Sequence, residues 1–208
     1  MRSFRFAVIP LLLLAAGCAD ALSPLVKPNV VTSAEALRAG DYKLDPDHGA
    51  IIFHVNHLGF SQFPGRFDRF DASLDFDSEH PENARVAADI DMTSLNVGNE
   101  EFAATLTGGQ WFDAAQYPTA HFESRAIAVT GDNRGTMTGD LTMHGVTQPV
   151  TLDVVFNGGA RDRLRGGSYV VGFTATGTIS RAAFGVDRFS ALVGDEVAIE
   201  IQTEFVKN

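Results

Sequence analysis

The sequence predicts an all-β fold, an eight-stranded antiparallel barrel with one short helical excursion, preceded by a leader and a tether. Three observations carry this expectation. Apolar side chains recur at every second residue through most of the chain, turn residues punctuate them, and 20 glycines stand against only 8 prolines. In the first alternating segment Ile51, Phe53, Val55 and His57 share one face, because successive side chains of a strand point to opposite sides. A turn is expected around Pro64 and Gly65, with Phe60 and Phe67 on either side of it. Phe70, Ala72, Leu74 and Phe76 then alternate with Asp71, Ser73 and Asp75, so one face is oily and the other acidic.

The alternation resumes at Val86, Ala88 and Ile90 as a third strand. From Asn99 to Leu106 good helix formers follow a capping asparagine, and Phe102 and Leu106 stand four apart, which predicts one short helix. An aromatic loop beginning at Trp111 and Phe112 leads into a strand with Ala120 and Phe122 inward. Further strands are expected over 136–143, 150–156, 169–179 and 196–205, joined by turns such as Asp132-Asn133-Arg134-Gly135. A barrel is favoured over an open sheet because closure removes unpaired edges. Whether that barrel is solid or hollow is left open by the pattern: eight strands enclose a space that side chains can just fill or that can hold one small ligand.

Residues 1–17 read as a signal peptide, with Arg2 and Arg5 ahead of an apolar stretch too short to span a bilayer. Cys18, the only cysteine, stands where a bacterial lipoprotein is cut and acylated; residues 18–40 then read as an acylated cysteine and flexible tether, and 41–208 as the barrel domain. This places the protein in the periplasm, held to a membrane by its lipid. Asp20 does not directly follow the cysteine, which favours the outer membrane. The net charge of −10 becomes −12 once the leader's two arginines are removed, which excludes nucleic acid as a partner and leaves a homodimer open.

The patterns of enzymes are absent. His54 and His57 face opposite sides of one strand, no paired-cysteine or His-Glu-x-x-His spacing occurs, and Gly166-Gly167-Ser168 lacks a strand-to-helix setting, so neither a metal site nor a catalytic residue is assigned. His57 reads either as a core histidine bonded to backbone or as a polar contact at a cavity mouth. Arg181 continues the inward phase of Phe173, Ala175, Gly177 and Ile179, and reads either as a contact for a phosphate or quinone oxygen or as the partner of Asp187 or Asp195.

Seven motifs in order resemble one family. Tyr42-x-x-Asp45-x-x-His48, Phe53-x-Val55-x-His57-Leu58-Gly59, Gly65-x-Phe67, Phe112-Asp113-x-x-x-Tyr117-Pro118, Gly139-Asp140-Leu141-Thr142-x-x-Gly145-Val146-Thr147-x-Pro149-Val150, Arg181-x-x-Phe184-Gly185 and Val193-Gly194-Asp195-Glu196-Val197 resemble the YceI-like polyisoprenoid-binding family. The resemblance implies an extended lipocalin-like barrel whose apolar tunnel holds a long isoprenoid, such as a quinone tail or a polyprenyl phosphate. No cofactor is required, the expected partner is an isoprenoid or other long-chain lipid, and the expected role is to sequester or ferry it. On this reading the wall comprises Phe53, Val55, His57, Phe60, Phe67, Phe76, Trp111, Phe112, Phe122, Phe173, Ala175, Ile179, Arg181 and Phe184. Two other classes stay open: an envelope stress or interaction protein with a filled barrel, and an enzyme acting on a bound lipid.

Overall fold

The computed structural model describes residues 27–208, so the leader and Cys18 lie outside the described residues. The chain forms eleven strand segments in one antiparallel sheet: β1 (Gly40–Leu44), β2 (Ala50–His57), β3 (Ser61–Phe67), β4 (Phe70–Phe76), β5 (Arg85–Asp91), β6 (Leu95–Asn96), β7 (Thr119–Gly131), β8 (Arg134–Met143), β9 (Val146–Asp162), β10 (Ser168–Ser180) and β11 (Val193–Lys207). The sheet closes where β1 meets β11, and the closed ring is eight-stranded, running β1-β4-β5-β7-β8-β9-β10-β11. The expected barrel is therefore present.

Eleven segments make eight staves because the first three staves are each interrupted. β1 and β2 run consecutively along β11, with Leu44 opposite Phe205 and Ala50 opposite Gln202. Between them Asp45 caps a short 3-10 turn at Pro46–His48 by accepting from the Asp47 N–H. β3 and β4 break at Asp68 and Arg69, and β5 and β6 at Met92–Ser94, where the Ser94 hydroxyl accepts from the Arg69 N–H at 3.0 Å. Buried polar backbone released by a broken ladder must find partners elsewhere, and these aspartate and serine side chains provide them.

The interruptions flare one end. There β2, β3 and β6 continue the sheet beyond β11, and the helix α1 (Glu100–Thr107) follows β6 directly. The Asn99 side chain caps α1 through the Phe102 N–H, as the sequence predicts. This is the helix end of the barrel. β10, at 13 residues, extends about 40 Å, which a tilt of roughly 40° reduces to about 30 Å along the axis.

Two expectations are corrected. The first turn lies at Leu58–Phe60, where the Gly59 N–H binds the Asn56 side chain at 2.8 Å, and not at Pro64 and Gly65, which sit inside β3. Proline is tolerated there because the second edge of β3 is paired only at Arg66 and Phe67, so a missing N–H costs no ladder bond. Gly65 stands opposite Phe53, and a Cβ on it would lie 2.2 Å from that ring, so the glycine serves ring packing instead of a turn. The second correction concerns residues 31–39, read as part of the tether. Val31 pairs with Gly159, residues 34–36 form a 3-10 turn, and the hydroxyls of Tyr169 and Tyr42 hold the carbonyls of Ala36 and Arg38. This segment is docked at the end opposite the helix. Tyr42 is itself among the most buried residues, and burial above all raises its hydroxyl pKa.

Candidate functional site

The alternating faces of the staves enclose a cavity of about 760 Å³ running the length of the barrel. At the helix end His57, Phe63, Phe102, Trp111 and Phe189 line it; at the other end Ala34, Leu37, Pro81 and the β7–β8 turn at Asp132–Arg134 do so. Between the two ends the lining is almost wholly apolar. The volume lies within the ~300–1,000 Å³ usual for ligand sites, and the filled-barrel reading is overturned. What keeps the lumen open is the placement of its rings. Phe53 lies over Gly65 on the neighbouring strand, and a Cβ on Gly139 would lie 2.4 Å from the ring of Phe122. Phe156, Phe173 and Phe205 stand side by side on β9, β10 and β11, with centroids 5.3 and 6.2 Å apart. Rings laid over glycines, as at Phe53 and Phe122, or packed along neighbouring strands, as at Phe156, Phe173 and Phe205, leave the lumen open.

Of the residues expected in the wall, Phe53, Val55, His57, Phe67, Phe76, Trp111, Phe112, Phe122, Phe173, Ala175 and Ile179 line the cavity. His57 is exposed at the mouth, its ring 6.5 Å from that of Phe63, so the buried core reading of this histidine is overturned. Phe60 is displaced from the wall. It sits on the tip of the β2–β3 turn and is 87% exposed, because the turn falls earlier than expected and carries it outside.

Phe184 also leaves the lining. The strand phase ends at Ser180, and the short turn Ala182–Phe184 carries the ring into the buried cluster that includes Met92, Ala114 and Met143. Arg181 does reach the cavity wall, 6% exposed, but all three nitrogens of its guanidinium are engaged by backbone. It donates to the carbonyls of Gly194 (2.9 Å), Val186 (2.6 Å), Arg188 (3.0 Å) and Val193 (3.0 Å). The expected role toward a ligand oxygen and the expected pairing with Asp187 or Asp195 both give way to this: Arg181 ties the β10–β11 connection to the barrel. Residues that periodicity alone did not single out are Phe63 on β3, in the stretch expected to turn, and Phe102, Leu106, Phe189 and the docked Ala34 and Leu37, which come from the helix, the β10–β11 connection and the N-terminal segment.

The same connection is braced by Asp195, whose carboxylate accepts from the Ala182 N–H at 2.8 Å. The Ser180 hydroxyl first, then that N–H and the nearby Arg181 charge, hold its carboxyl below the ordinary value of 3.8. A carboxyl lowered by folding stabilises the fold above its unfolded pKa and loses that contribution as pH falls through its folded value. Wild type is therefore expected to exceed Asp195→Asn in stability at neutral pH, with the gap closing below pH 3.8. Urea unfolding across that range measures it; a gap that persists in acid would contradict the assignment.

Outside the barrel, Asp45, His48 and Glu204 approach within 4.8 Å of one another. Arg165 occupies the space among them, with ion pairs to Asp45 at 3.1 Å and Glu204 at 2.7 Å, so the group is a charge network with a cation already in place. Asp89, on the wet face, pairs with His121 at 2.7 Å.

Comparison with known proteins matches this geometry. A model of the YceI-like domain matches residues 42–205. A UPF0312 protein of Pseudomonas putida strain F1 is 35% identical over 177 residues, covering 84% of this chain and 91% of the relative. Among solved structures, Burkholderia cenocepacia BcnA superposes with a TM-score of 0.70 at 27% identity, over 77% of this chain and 98% of that one. A polyisoprenoid binding domain from Saccharophagus degradans, at 15% identity, shares the fold with a TM-score of 0.57 over 80% of this chain and 98% of its own.

Proposed function

This chain belongs to the YceI-like family, and on that footing we propose that its barrel binds an isoprenoid lipid, a quinone tail or a polyprenyl phosphate, and sequesters or ferries it at the bacterial envelope. The observation that carries the proposal is the long lumen, almost wholly apolar between its mouths, where its charged groups lie. Such a bore suits a chain with a long unfunctionalised tail. Burial supplies about 25 cal/mol per Å² of apolar surface removed from water and needs no directional partner. One methylene is worth only ~0.8 kcal/mol, so discrimination by tail length is weak. The solved neighbour described as a polyisoprenoid binding domain has the same barrel, which supports the choice of ligand class. No reaction is assigned, because no titratable cluster faces the lumen among the described residues. Cys18 would carry the acyl anchor and hold the domain in the periplasm, with the outer membrane favoured. Protein purified from membranes without detergent is expected to yield one prenyl lipid per chain on organic extraction, read by mass spectrometry. Extracts free of long-chain lipid would overturn the proposal.

A further inference from the structure

The helix end carries a feature that ligand binding within the lumen does not require. Leu58 and Phe60 on the β2–β3 turn, Phe102 on α1, and Phe189 and Leu192 on the β10–β11 connection are all large, apolar and exposed, from 41% for Phe102 to 87% for Phe60. They form one collar. The Leu58 N–H binds the Leu192 carbonyl at 3.2 Å, Phe102 packs edge-on to Phe63 at 5.7 Å, and Phe189 packs on Trp111 at 6.1 Å. Phe102 and Phe189 also line the cavity, so the collar and the mouth of the lumen are continuous.

Water does not favour this arrangement, and part of it is held against backbone preference. Leu58 and Phe189 have φ of 57° and 55°, a left-handed conformation that bulky residues rarely adopt and that tends to persist at functional positions. The Arg188 guanidinium lies over the Phe189 ring at 4.6 Å, setting a cation beside the apolar tip. Exposed Leu and Phe from two loops and a helix make a projecting ring and not a groove, which fits a planar apolar phase better than an extended peptide.

We propose that this collar docks on a lipid bilayer surface, inserting its leucine and phenylalanine side chains so that a tail passes between membrane and lumen without crossing water. The proposal rests on the lipid-binding reading and names the surface from which the ligand is loaded. A zwitterionic surface is the fitting partner, because the chain's net charge of −10 opposes an anionic one while Arg188 meets lipid phosphate.

The test uses the mature chain, residues 18–208, carrying Cys18→Ala, so that neither leader nor acyl anchor contributes, with phosphatidylcholine vesicles and geranylgeraniol as probe. The protein is expected to sediment with vesicles, and the triple variant Leu58→Asn, Phe60→Ser, Leu192→Ser to partition at least about tenfold less. Asparagine suits the left-handed position, and none of the three residues lines the lumen, so uptake of geranylgeraniol added from ethanol is expected to be unchanged in the variant. Uptake from vesicles should slow with the loss of partitioning. Equal sedimentation of parent and variant, no sedimentation of either, or a dimer that the variant splits into monomers would each overturn the collar proposal. Failure of both proteins to take up probe from ethanol would overturn the lumen reading instead, since sedimentation is scored separately.

Discussion

Arg181→Met is expected to destabilise the domain by about 3 kcal/mol or more, a drop read as a lower urea midpoint. The substitution removes the donor to four carbonyls, leaving the buried one of Val186 and the half-buried ones of Arg188, Val193 and Gly194 without this partner. Arg181→Lys should fall between the two, because an ammonium cannot reproduce the planar fork that reaches several carbonyls at once. The consequence for the site is indirect. The segment that Arg181 ties down carries Phe189 and leads into Val193, so loosening it frays the helix-end mouth. If Arg181→Met kept full stability and lost only ligand, the side chain would be a ligand contact and the structural role assigned to it would be wrong.

Ala175→Trp is expected to empty the lumen of lipid while leaving the barrel folded. Ala175 sits on β10 between Val154 and Ile201, all three on the cavity wall, where a methyl leaves the bore open. An indole projecting from this position occupies the path of a tail. The strain of inserting a larger side chain is typically 1–3 kcal/mol in a packed core, and an existing cavity reduces it. Lipid recovered per chain should fall at least about tenfold, with the unfolding midpoint close to wild type. Unchanged lipid content in a folded variant would place the site elsewhere.

Most of the wall could be read from residue order alone. Period-two alternation places Ile51 to His57, Phe70 to Phe76, Val86 to Ile90 and Val197 to Thr203 on the lining face, and each of these sets lies there. Alternation survives because a strand with one wet and one oily face has its register fixed by burial. It fails where strands end. Phe184, which the family resemblance places in the wall, lies beyond the end of β10, where the turn at Ala182–Phe184 carries it into the core. Gly65 and Pro64 carry turn chemistry in sequence but serve a partly unpaired strand edge and a stacked phenylalanine, which only the neighbouring strand reveals.

The motifs that identify the family were legible for a different reason from the lumen. Arg181 and Asp195 brace the loops at the helix end through side-chain hydrogen bonds, Phe184 is buried beneath them, and a Cβ on Gly194 would lie 3.1 Å from that of Asn56, so these identities are narrowly constrained. The lumen needs only apolar residues of suitable size, and its character is visible as pattern instead of motif. The collar escaped both readings. Leu58, Phe60, Phe189 and Leu192 are spread over loops without periodicity, and only closure of the barrel brings them to one end.

The hollow bore is tested most directly by a native mass spectrum of protein isolated from membranes without detergent, recorded beside Ala175→Trp prepared identically. Wild type should show the chain carrying a single adduct with the mass of a long-chain lipid, and the variant should show the bare chain. Two spectra at the bare mass, or the same adduct on both, would contradict a lipid-holding lumen.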